Sequence, residues 1–182
     1  MYHISGDKRA VKSAELIWQG LEQCLQEKEL KKIRIADINE KCYVSRTTFY
    51  RLFDSVEDVL VYRCDRIFDD LNTEQFASTK DYFLFLIARC LEEQVLLKAL
   101  VENNLSGILY DAQMRHSDLM KRVFLRDAEL SEQEADYLVS ILTNIVPAMM
   151  TTWYAHGQTE TPEEILEIAR GRIAIINEVL YK

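Results

Sequence analysis

The sequence predicts an all-α protein in which a small helical head precedes a larger helical bundle. Three observations support this fold class. Apolar residues recur at the three- and four-residue spacing of helix faces along most of the chain. Only two prolines and five glycines occur among 182 residues, and this composition favours helices over turn-rich sheets. Hydrophobic residues make up 48% of the chain, which is enough to form a core.

The first helix is predicted from Lys8 to Glu27. Its apolar face is formed by Ala14, Ile17, Trp18, Leu21 and Leu25. Its first turns contain Lys8, Arg9 and Lys12, whose positive charges oppose the helix dipole. Either a bound phosphate offsets this repulsion, or the three side chains are simply solvated.

Two short helices follow, at about 36–42 and 46–53, in the layout of a helix-turn-helix. Ser45 is a suitable N-cap for the second of them. Its inward face carries Phe49, Leu52 and Phe53. Its opposite face carries Thr47, Arg51 and Asp54, with Thr48 and Tyr50 on the flanks. A polar helix face backed by buried rings is the arrangement that contacts in a DNA major groove require.

A fourth helix is predicted to about Thr73, capped by Ser55 with Asp58 at its third position. It joins the head, residues 1–54, to the body, residues 55–182, without a flexible linker. Further helices are predicted at about 80–102, 104–112, 114–126 and 131–156, and a last one after Thr161, which makes about nine in total.

Three features of the body have local structural meaning. The run Tyr82–Ile87 is apolar on all sides and belongs in the middle of a bundle. Pro147 is expected to kink the long helix at 131–156, and Gly157 to end it in a left-handed conformation. The last helix begins with a proline and two glutamates, as helix starts often do.

Charge is distributed unevenly along the chain, whose net charge is −8. Residues 1–53 contain 10 Lys/Arg and 7 Asp/Glu, a net charge of +3, whereas residues 54–182 contain 12 and 23, a net charge of −11. A mildly basic head on an acidic body favours local contacts with phosphate over general adhesion to nucleic acids. Chance is the alternative explanation of so small an excess.

Several classes of protein are not supported by the sequence. The four cysteines form no CxxC pair and the three histidines are scattered, so we expect reduced thiols, no metal site and no cofactor. Nucleophile motifs and glycine-rich phosphate loops are lacking, which argues against an enzyme. Apolar runs such as Tyr82–Ala88 are too short for a membrane span, and the N-terminus lacks a signal-peptide pattern, so we expect a cytoplasmic protein without membrane contact.

Over about residues 8–60 the chain resembles the TetR family of bacterial transcription regulators. The resemblance rests on Ile35 and Ile38, on the run Val44-Ser45-Arg46-x-Thr48-Phe49-Tyr50-x-x-Phe53, and on an acidic helix start before Leu60. Farther along, only the helical layout and Trp153-Tyr154-x-x-Gly157 match. The resemblance implies a homodimeric, DNA-binding transcription regulator, which we expect to be a repressor controlled by a small ligand.

The resemblance also implies roles for individual residues of the head. Thr47, Thr48 and Arg51 would contact bases, and Tyr50 would donate its hydroxyl to a phosphate. The DNA-binding surface would comprise Lys8, Arg9, Lys12, Ser45, Arg46, Thr47, Thr48, Tyr50 and Arg51. The alternative for Thr47 and Thr48 is an ordinary exposed first turn of a helix.

Two further sets of residues are implied in the body. An internal site for an apolar ligand would be lined by Phe68, Tyr82, Phe85, Tyr110, Met114, Met149 and Trp153, unless these side chains are close-packed core. The last two helices of each subunit would form the dimer interface. The interface residues would be Ile141, Ile145, Met149, Ile165, Ile168, Ile173 and Ile176, unless both helices pack only within the monomer.

Four positions depart from the family pattern. Arg34 replaces a capping threonine, Cys42 and Tyr43 replace alanine and glycine in the turn, and Val56 replaces a lysine that contacts phosphate. If Tyr43 adopts a positive φ, its conformation costs roughly 1 kcal/mol relative to glycine. These departures and the acidic net charge motivate an alternative function, a protein-interaction adaptor or coactivator with weak or no DNA binding.

Overall fold

The computed structural model describes residues 2–4, 6–125 and 129–180, without the side chains of residues 173, 174 and 176–180. These described residues form ten α-helices and one short 3₁₀ helix, Leu30–Lys32, and no strand, which confirms the all-α class. The helices are α1 (Lys8–Glu27), α2 (Ile35–Cys42), α3 (Arg46–Leu52), α4 (Val56–Asn72), α5 (Thr79–Glu92), α6 (Gln94–Glu102), α7 (Gly107–Arg115), α8 (Ser117–Phe124), α9 (Glu132–Ala155) and α10 (Pro162–Leu180).

Close packing of α1 against α2 depends on Gly20. A Cβ atom at this position would lie 2.9 Å from the Cβ of Cys42 and 2.9 Å from the carbonyl oxygen of Ile38. Both distances are shorter than van der Waals contact, so only glycine permits this separation of the helices. The surrounding core includes Ile17 and Leu21, which are completely buried. The first helix of the head is therefore held tightly against the first helix of the helix-turn-helix.

The α3 helix is anchored by aromatic residues. Phe49 and Phe53 are completely buried, and their ring centroids lie 5.7 Å apart. The ring of Phe53 also packs edge-on against that of Tyr62 in α4, at 5.8 Å. Tyr2 packs against the same Tyr62 ring at 5.7 Å, so the N-terminal segment takes part in this cluster. The inward aromatic face predicted for the helix is thus present, and it connects α3 to α4.

The α4 helix passes from the head into the middle of the body. Its N-terminus has the expected capping box, in which Ser55 accepts a bond from the Asp58 N–H and Asp58 accepts one from the Ser55 N–H. Along its length α4 contacts α1, α5 and α7. Buried apolar residues of head and body form one continuous cluster, with no flexible segment between them.

The single helix predicted at 80–102 is wrong, because Glu93 interrupts it between α5 and α6. This residue has φ −93° and ψ 46°, which is not helical, and its side chain is buried in an ion pair with Arg63 of α4. The break raises the number of α-helices in the described residues to ten, against about nine expected. The next helix begins at Gly107 and not at 104, because Asn104 adopts a left-handed conformation with φ 58°.

Long helices α9 and α10 close the fold. Ser131 and Glu134 form the capping box expected at the start of α9, and Gly157 follows its end with φ 88°. Pro147 lies inside α9. Of the described helices, α9 alone is long and apolar enough to cross a membrane by length and composition, a test that core helices of soluble proteins also pass. Its exposed large apolar side chains are Tyr137 and Ile141.

Substitution of Gly20 by alanine tests the close approach of α1 and α2. We expect the free energy of unfolding to fall by about 1–3 kcal/mol, because the added methyl group must separate the helices. Urea titration followed by circular dichroism measures the change. The control is Gly107→Ala, where a Cβ atom meets nothing within 4 Å and no loss is expected. Equal losses in both variants would contradict this account of the packing.

Candidate nucleic-acid interface

The outward face of α3 carries polar side chains that the fold leaves exposed. Ser45 caps the helix by accepting a hydrogen bond from the Thr48 N–H, with N···O 3.1 Å. The Ser45 hydroxyl also lies 2.9 Å from the hydroxyl of Thr48, which is half-buried. Thr47 and Arg51 are exposed, as their helical spacing predicts. The first turn and the outer face of α3 are therefore accessible to a large partner.

Arg46 and Tyr50 form a pair one turn apart on this helix. The guanidinium carbon of Arg46 lies 5.5 Å from the centroid of the Tyr50 ring, in cation–π geometry. One of its nitrogens, Nη2, lies 3.5 Å from the Tyr50 hydroxyl. A cation and a phenol hydroxyl are thus held side by side, with Tyr50 exposed to solvent. Both groups are suited to phosphate oxygens.

His3, in the segment before α1, contacts the C-terminal end of α3. The His3 N–H donates to the Leu52 carbonyl at 2.8 Å, and the His3 ring lies 3.1 Å from the Asp54 carboxylate. Four residues farther on, Asp7 caps α1 by accepting a bond from the Arg9 N–H. Both His3 and Asp54 are exposed, so the contact between their side chains lies at the protein surface. They hold His3 beside the end of α3, and α1 begins five residues farther along the chain.

Three exposed cations at the start of α1 lack ion pairs. In residues 2–4, 6–125 and 129–180, no carboxylate lies within 4.0 Å of the charged nitrogens of Lys8, Arg9 or Lys12. Other lysines of the head do have such partners, namely Lys28, Lys32 and Lys41. Among the described residues, Lys31, Arg34, Arg46 and Arg51 of the head also lack ion pairs. At the start of α1 the helix dipole adds to the repulsion between the cations, which favours an anion there.

The turn before α3 contains the least conventional backbone of the head. Tyr43 has φ 54° and ψ 25°, so it adopts the left-handed conformation that the sequence analysis considered for this position. At the start of α2, Asp37 accepts a bond from the Arg34 N–H at 2.8 Å, but an arginine side chain has no acceptor with which to complete the cap. Val56 is half-buried at the start of α4 and packs against the core.

A buried carboxylate connects the head, α4 and α7, and sequence reasoning did not identify it. The side chain of Asp65 in α4 is only 5% exposed. It accepts hydrogen bonds from the Tyr2 hydroxyl at 2.6 Å and from Arg115 Nη2 at 2.8 Å, and His116 Nε2 lies 3.7 Å away. Burial by itself would raise the pKa of Asp65, but the nearby His116 ring and the hydrogen bonds from Tyr2 and Arg115 outweigh it and lower the pKa. The contacting residues are far apart in sequence, so no local pattern reveals them.

Arg63 forms a second polar connection of α4, to the body and to the head. Its guanidinium donates to Glu93 at the break between α5 and α6, with Nε···Oε2 2.9 Å. It also lies 3.5 Å from Glu15 of α1, and Glu15 accepts the Tyr62 hydroxyl at 2.6 Å. Burial would lower the pKa of Arg63, but Glu93, Glu15 and Glu22 outweigh it and raise the pKa. The position of α4 is therefore coupled electrostatically to the head and to the body.

The side chains expected to line a ligand site lie on α4, α5, α7 and α9 of the body. Phe68 is buried and stacks on His116, with ring centroids 5.9 Å apart. Tyr82 and Phe85 both pack against Phe76, at 5.4 and 5.7 Å. Half-buried Tyr110 and Met114 lie on α7. Met149 and Trp153 come together elsewhere, in a cleft of about 410 Å³ between α9 and α10.

The residues expected at the dimer interface are divided between surface and core. Ile141 and Ile168 are 63% and 55% exposed, which is unusual for isoleucine. Ile145 and Met149 are half-buried, whereas Ile165 is buried within the single chain. The side chains of Ile173 and Ile176 lie outside the described residues. Exposed Tyr137 extends the apolar surface along α9.

Comparison with known proteins finds similarity in structure only. No protein-family model matches the chain, and no curated protein matches it. The crystal structure of Lin0861 from Listeria innocua has a TM-score of 0.76 at 16% identity, covering 96% of both chains. A TetR transcriptional regulator from Streptococcus agalactiae 2603V has a TM-score of 0.59 at 20% identity, covering 87% of this chain and 91% of its own.

A third solved structure, the dihydroxyacetone kinase operon activator DhaS, has a TM-score of 0.60 at 17% identity. The match covers 91% of this chain and 98% of that one. At such identities the likeness shows the fold alone. The all-helical fold of this chain is therefore similar to that of a TetR transcriptional regulator and of an operon activator.

Replacement of Asp65 by asparagine tests the buried connection. At pH 7 we expect the free energy of unfolding to fall by about 2 kcal/mol or more, because Tyr2 and Arg115 lose a charged acceptor. Since the pKa of Asp65 is lowered on folding, its contribution is present above the ordinary aspartate pKa and is lost as pH falls through the lowered value. The difference between variant and wild type should therefore shrink below about pH 4.

Urea midpoints measured at pH 7, 5 and 3.5 give the comparison. The control is Glu27→Gln, which removes an exposed pair with Lys41 and should cost less than about 1 kcal/mol at every pH. A loss in Asp65→Asn that is independent of pH would contradict the electrostatic origin of the effect.

Proposed function

We propose that the protein is a homodimeric, DNA-binding transcription regulator of the TetR type, acting as a repressor. In this proposal the head, residues 1–54, binds operator DNA, and the body, residues 55–182, supplies dimerisation and ligand response. The observation that carries it is the exposed polar face of α3, backed by completely buried Phe49 and Phe53. Two of the structural neighbours are named as transcription regulators, which supports the same function.

Contacts with DNA would be divided between bases and phosphates. Thr47, Thr48 and Arg51 would enter the major groove, where an arginine can donate two bonds to guanine. Arg46 and Tyr50, already paired with each other, would bind adjacent phosphate oxygens. The unpaired cations at the start of α1 would neutralise further phosphates, and each neutralised phosphate adds roughly −0.9 to the slope of log K against log salt.

Dimerisation would proceed through α9 and α10. Exposed apolar side chains on both helices, among them Ile141 and Ile168, form a surface that water disfavours. Burying it against the same surface of a second chain gives an isologous four-helix interface. The interface matters to DNA binding because two recognition helices about 34–36 Å apart contact successive major grooves, whereas one alone binds weakly.

Ligand control would act through α4. This helix contacts α3 through the Phe53–Tyr62 pair and α7 through the Asp65–Arg115 pair. A molecule that binds the body with unequal affinity for two positions of α4 would change the spacing of the two heads. The Met149–Trp153 cleft and the aromatic cluster around Phe76 are apolar, so they favour a small apolar ligand.

A protein-interaction adaptor on the same fold is the second candidate. It is favoured by the absence of a phosphate-binding lysine at Val56 and by the incomplete cap at Arg34. An adaptor requires exposed contact surface but no preference among DNA sequences. The two functions therefore give opposite results in a DNA-binding experiment. An enzyme is not proposed, because neither the sequence motifs nor the neighbours support one.

DNA binding is tested by selecting duplexes from a random library with the purified protein. We expect a selected duplex to bind at least about 10³-fold more tightly than a scrambled one at physiological salt. Thr47→Ala and Arg51→Ala should reduce this preference, each by about 1–3 kcal/mol. Lys12→Ala should weaken binding to both duplexes and reduce the salt slope by about 1.

The matched control is Lys98→Ala on α6, an exposed cation that belongs to the body. It removes the same charge as Lys12→Ala but should leave affinity and salt slope unchanged. If the wild-type protein bound selected and scrambled duplexes equally, the regulator would be ruled out and the adaptor favoured.

The dimer is tested separately by sedimentation velocity. Ile141→Asp and Ile168→Asp should each convert a two-chain species into a monomer at micromolar concentration, because burying an unpaired carboxylate costs several kcal/mol. Leu16→Asp is the control, since Leu16 is exposed on α1 of the head, away from α9 and α10. A monomeric wild type, or variants that remain dimeric, would contradict this interface.

A further inference from the structure

Tyr43 is the most exposed of the large hydrophobic residues that the structure describes, at 95%. It ends α2 and stands in the two-residue connection that leads to the cap of α3. Its hydroxyl makes no hydrogen bond, and its ring makes no aromatic or cation contact, with any described residue. Nothing within the chain therefore explains why a tyrosine occupies this place.

The backbone makes the choice of residue costly. With φ 54° and ψ 25°, the residue is left-handed, a conformation that favours glycine and is found mostly with glycine at helix ends. Each of the other non-glycine residues with positive φ in the described chain, Asn104 and Gln158, has an amide side chain, and asparagine tolerates this conformation well. Because the Tyr43 ring is almost fully exposed, no burial compensates for its strain. A strained, unpacked aromatic residue suggests a role outside the folded chain.

The location indicates what that role is. Tyr43 lies three residues before Arg46, so their Cα atoms are at most about 11 Å apart. Ser45, between them, caps the helix whose next residues face the major groove in the proposed function. In the proposed function, the N-terminal end of α3 meets the DNA, so a side chain at this position would lie near the DNA backbone. Exposed Ser45, Arg46 and Thr47 follow it along the chain, whereas the exposed isoleucines Ile141 and Ile168 lie on α9 and α10.

We propose that Tyr43 is a DNA-contact residue, donating its phenol hydroxyl to a phosphate oxygen that flanks the bases contacted by α3. The proposal rests on DNA binding as proposed above. A neutral donor releases no counterion, so this contact should strengthen binding without changing the salt slope. A phosphate contact also carries no direct sequence information, so the preferred duplex should stay the same. These two properties distinguish Tyr43 from Lys12 and from Thr47.

The experiment compares Tyr43→Phe, Tyr43→Asn and Tyr43→Gly with wild type, using the selected duplex. Tyr43→Phe removes only the hydroxyl and should raise the Kd about 3- to 10-fold, as expected for one hydrogen bond. Tyr43→Gly and Tyr43→Asn should raise it at least as much. Tyr43→Gly should also raise the Tm by about 2–4 °C, because it relieves the left-handed strain. All three variants should keep the salt slope and the sequence preference of wild type.

Because Tyr43→Gly is expected to be more stable than wild type, unfolding would not explain a loss of DNA binding in this variant. If wild type binds the selected duplex and all three variants bind it equally well, this inference fails while the proposed function stands. A changed sequence preference in Tyr43→Phe would place the hydroxyl on a base and overturn the phosphate contact. If wild type shows no preference for any duplex, both the DNA-binding regulator and the contact between Tyr43 and phosphate are ruled out.

Discussion

Burial of the apolar side of α3 is the constraint on which the rest of the structure depends. A helix of seven residues is far shorter than the roughly 12–15 residues that an isolated helix needs in water. It persists because Phe49 is buried and because Phe53, directly after its last residue, is buried against Tyr62. The same ring contact fixes the direction of α3 relative to α4, so the outward position of Thr47 and Arg51 follows from packing on the opposite side.

Charged contacts then fix the position of α4 relative to the body. Asp65 meets Tyr2 and Arg115, and Arg63 meets Glu93, so two buried or half-buried groups of one helix have partners in three other parts of the chain. Such pairs are directional, and removing one partner leaves a charge without compensation. In the proposed ligand control, a movement of α7, or of the break between α5 and α6, would be transmitted through these contacts to α4 and from there to the head.

Local patterns predicted the fold well, because helix starts and apolar periodicity are properties of neighbouring residues. The limits of α1 and the caps at Ser45, Ser55 and Ser131 agree with the sequence analysis. The break at Glu93 was missed, since its cause is an arginine 30 residues away. The Tyr2–Asp65 bond spans 63 residues and was equally invisible. Whether apolar side chains enclose a cavity or fill a core depends on packing between helices, so a ligand site could not be assigned from sequence.

The central claim is that two α3 helices of one dimer contact successive major grooves on the same side of a duplex. Hydroxyl-radical footprinting on a selected duplex measures this most directly, because it reports which sugars the protein covers. The account predicts two protected regions whose centres are about one helical turn, 10–10.5 base pairs, apart. A single protected region, two regions at another spacing, or uniform cleavage at protein concentrations that saturate the duplex would contradict it.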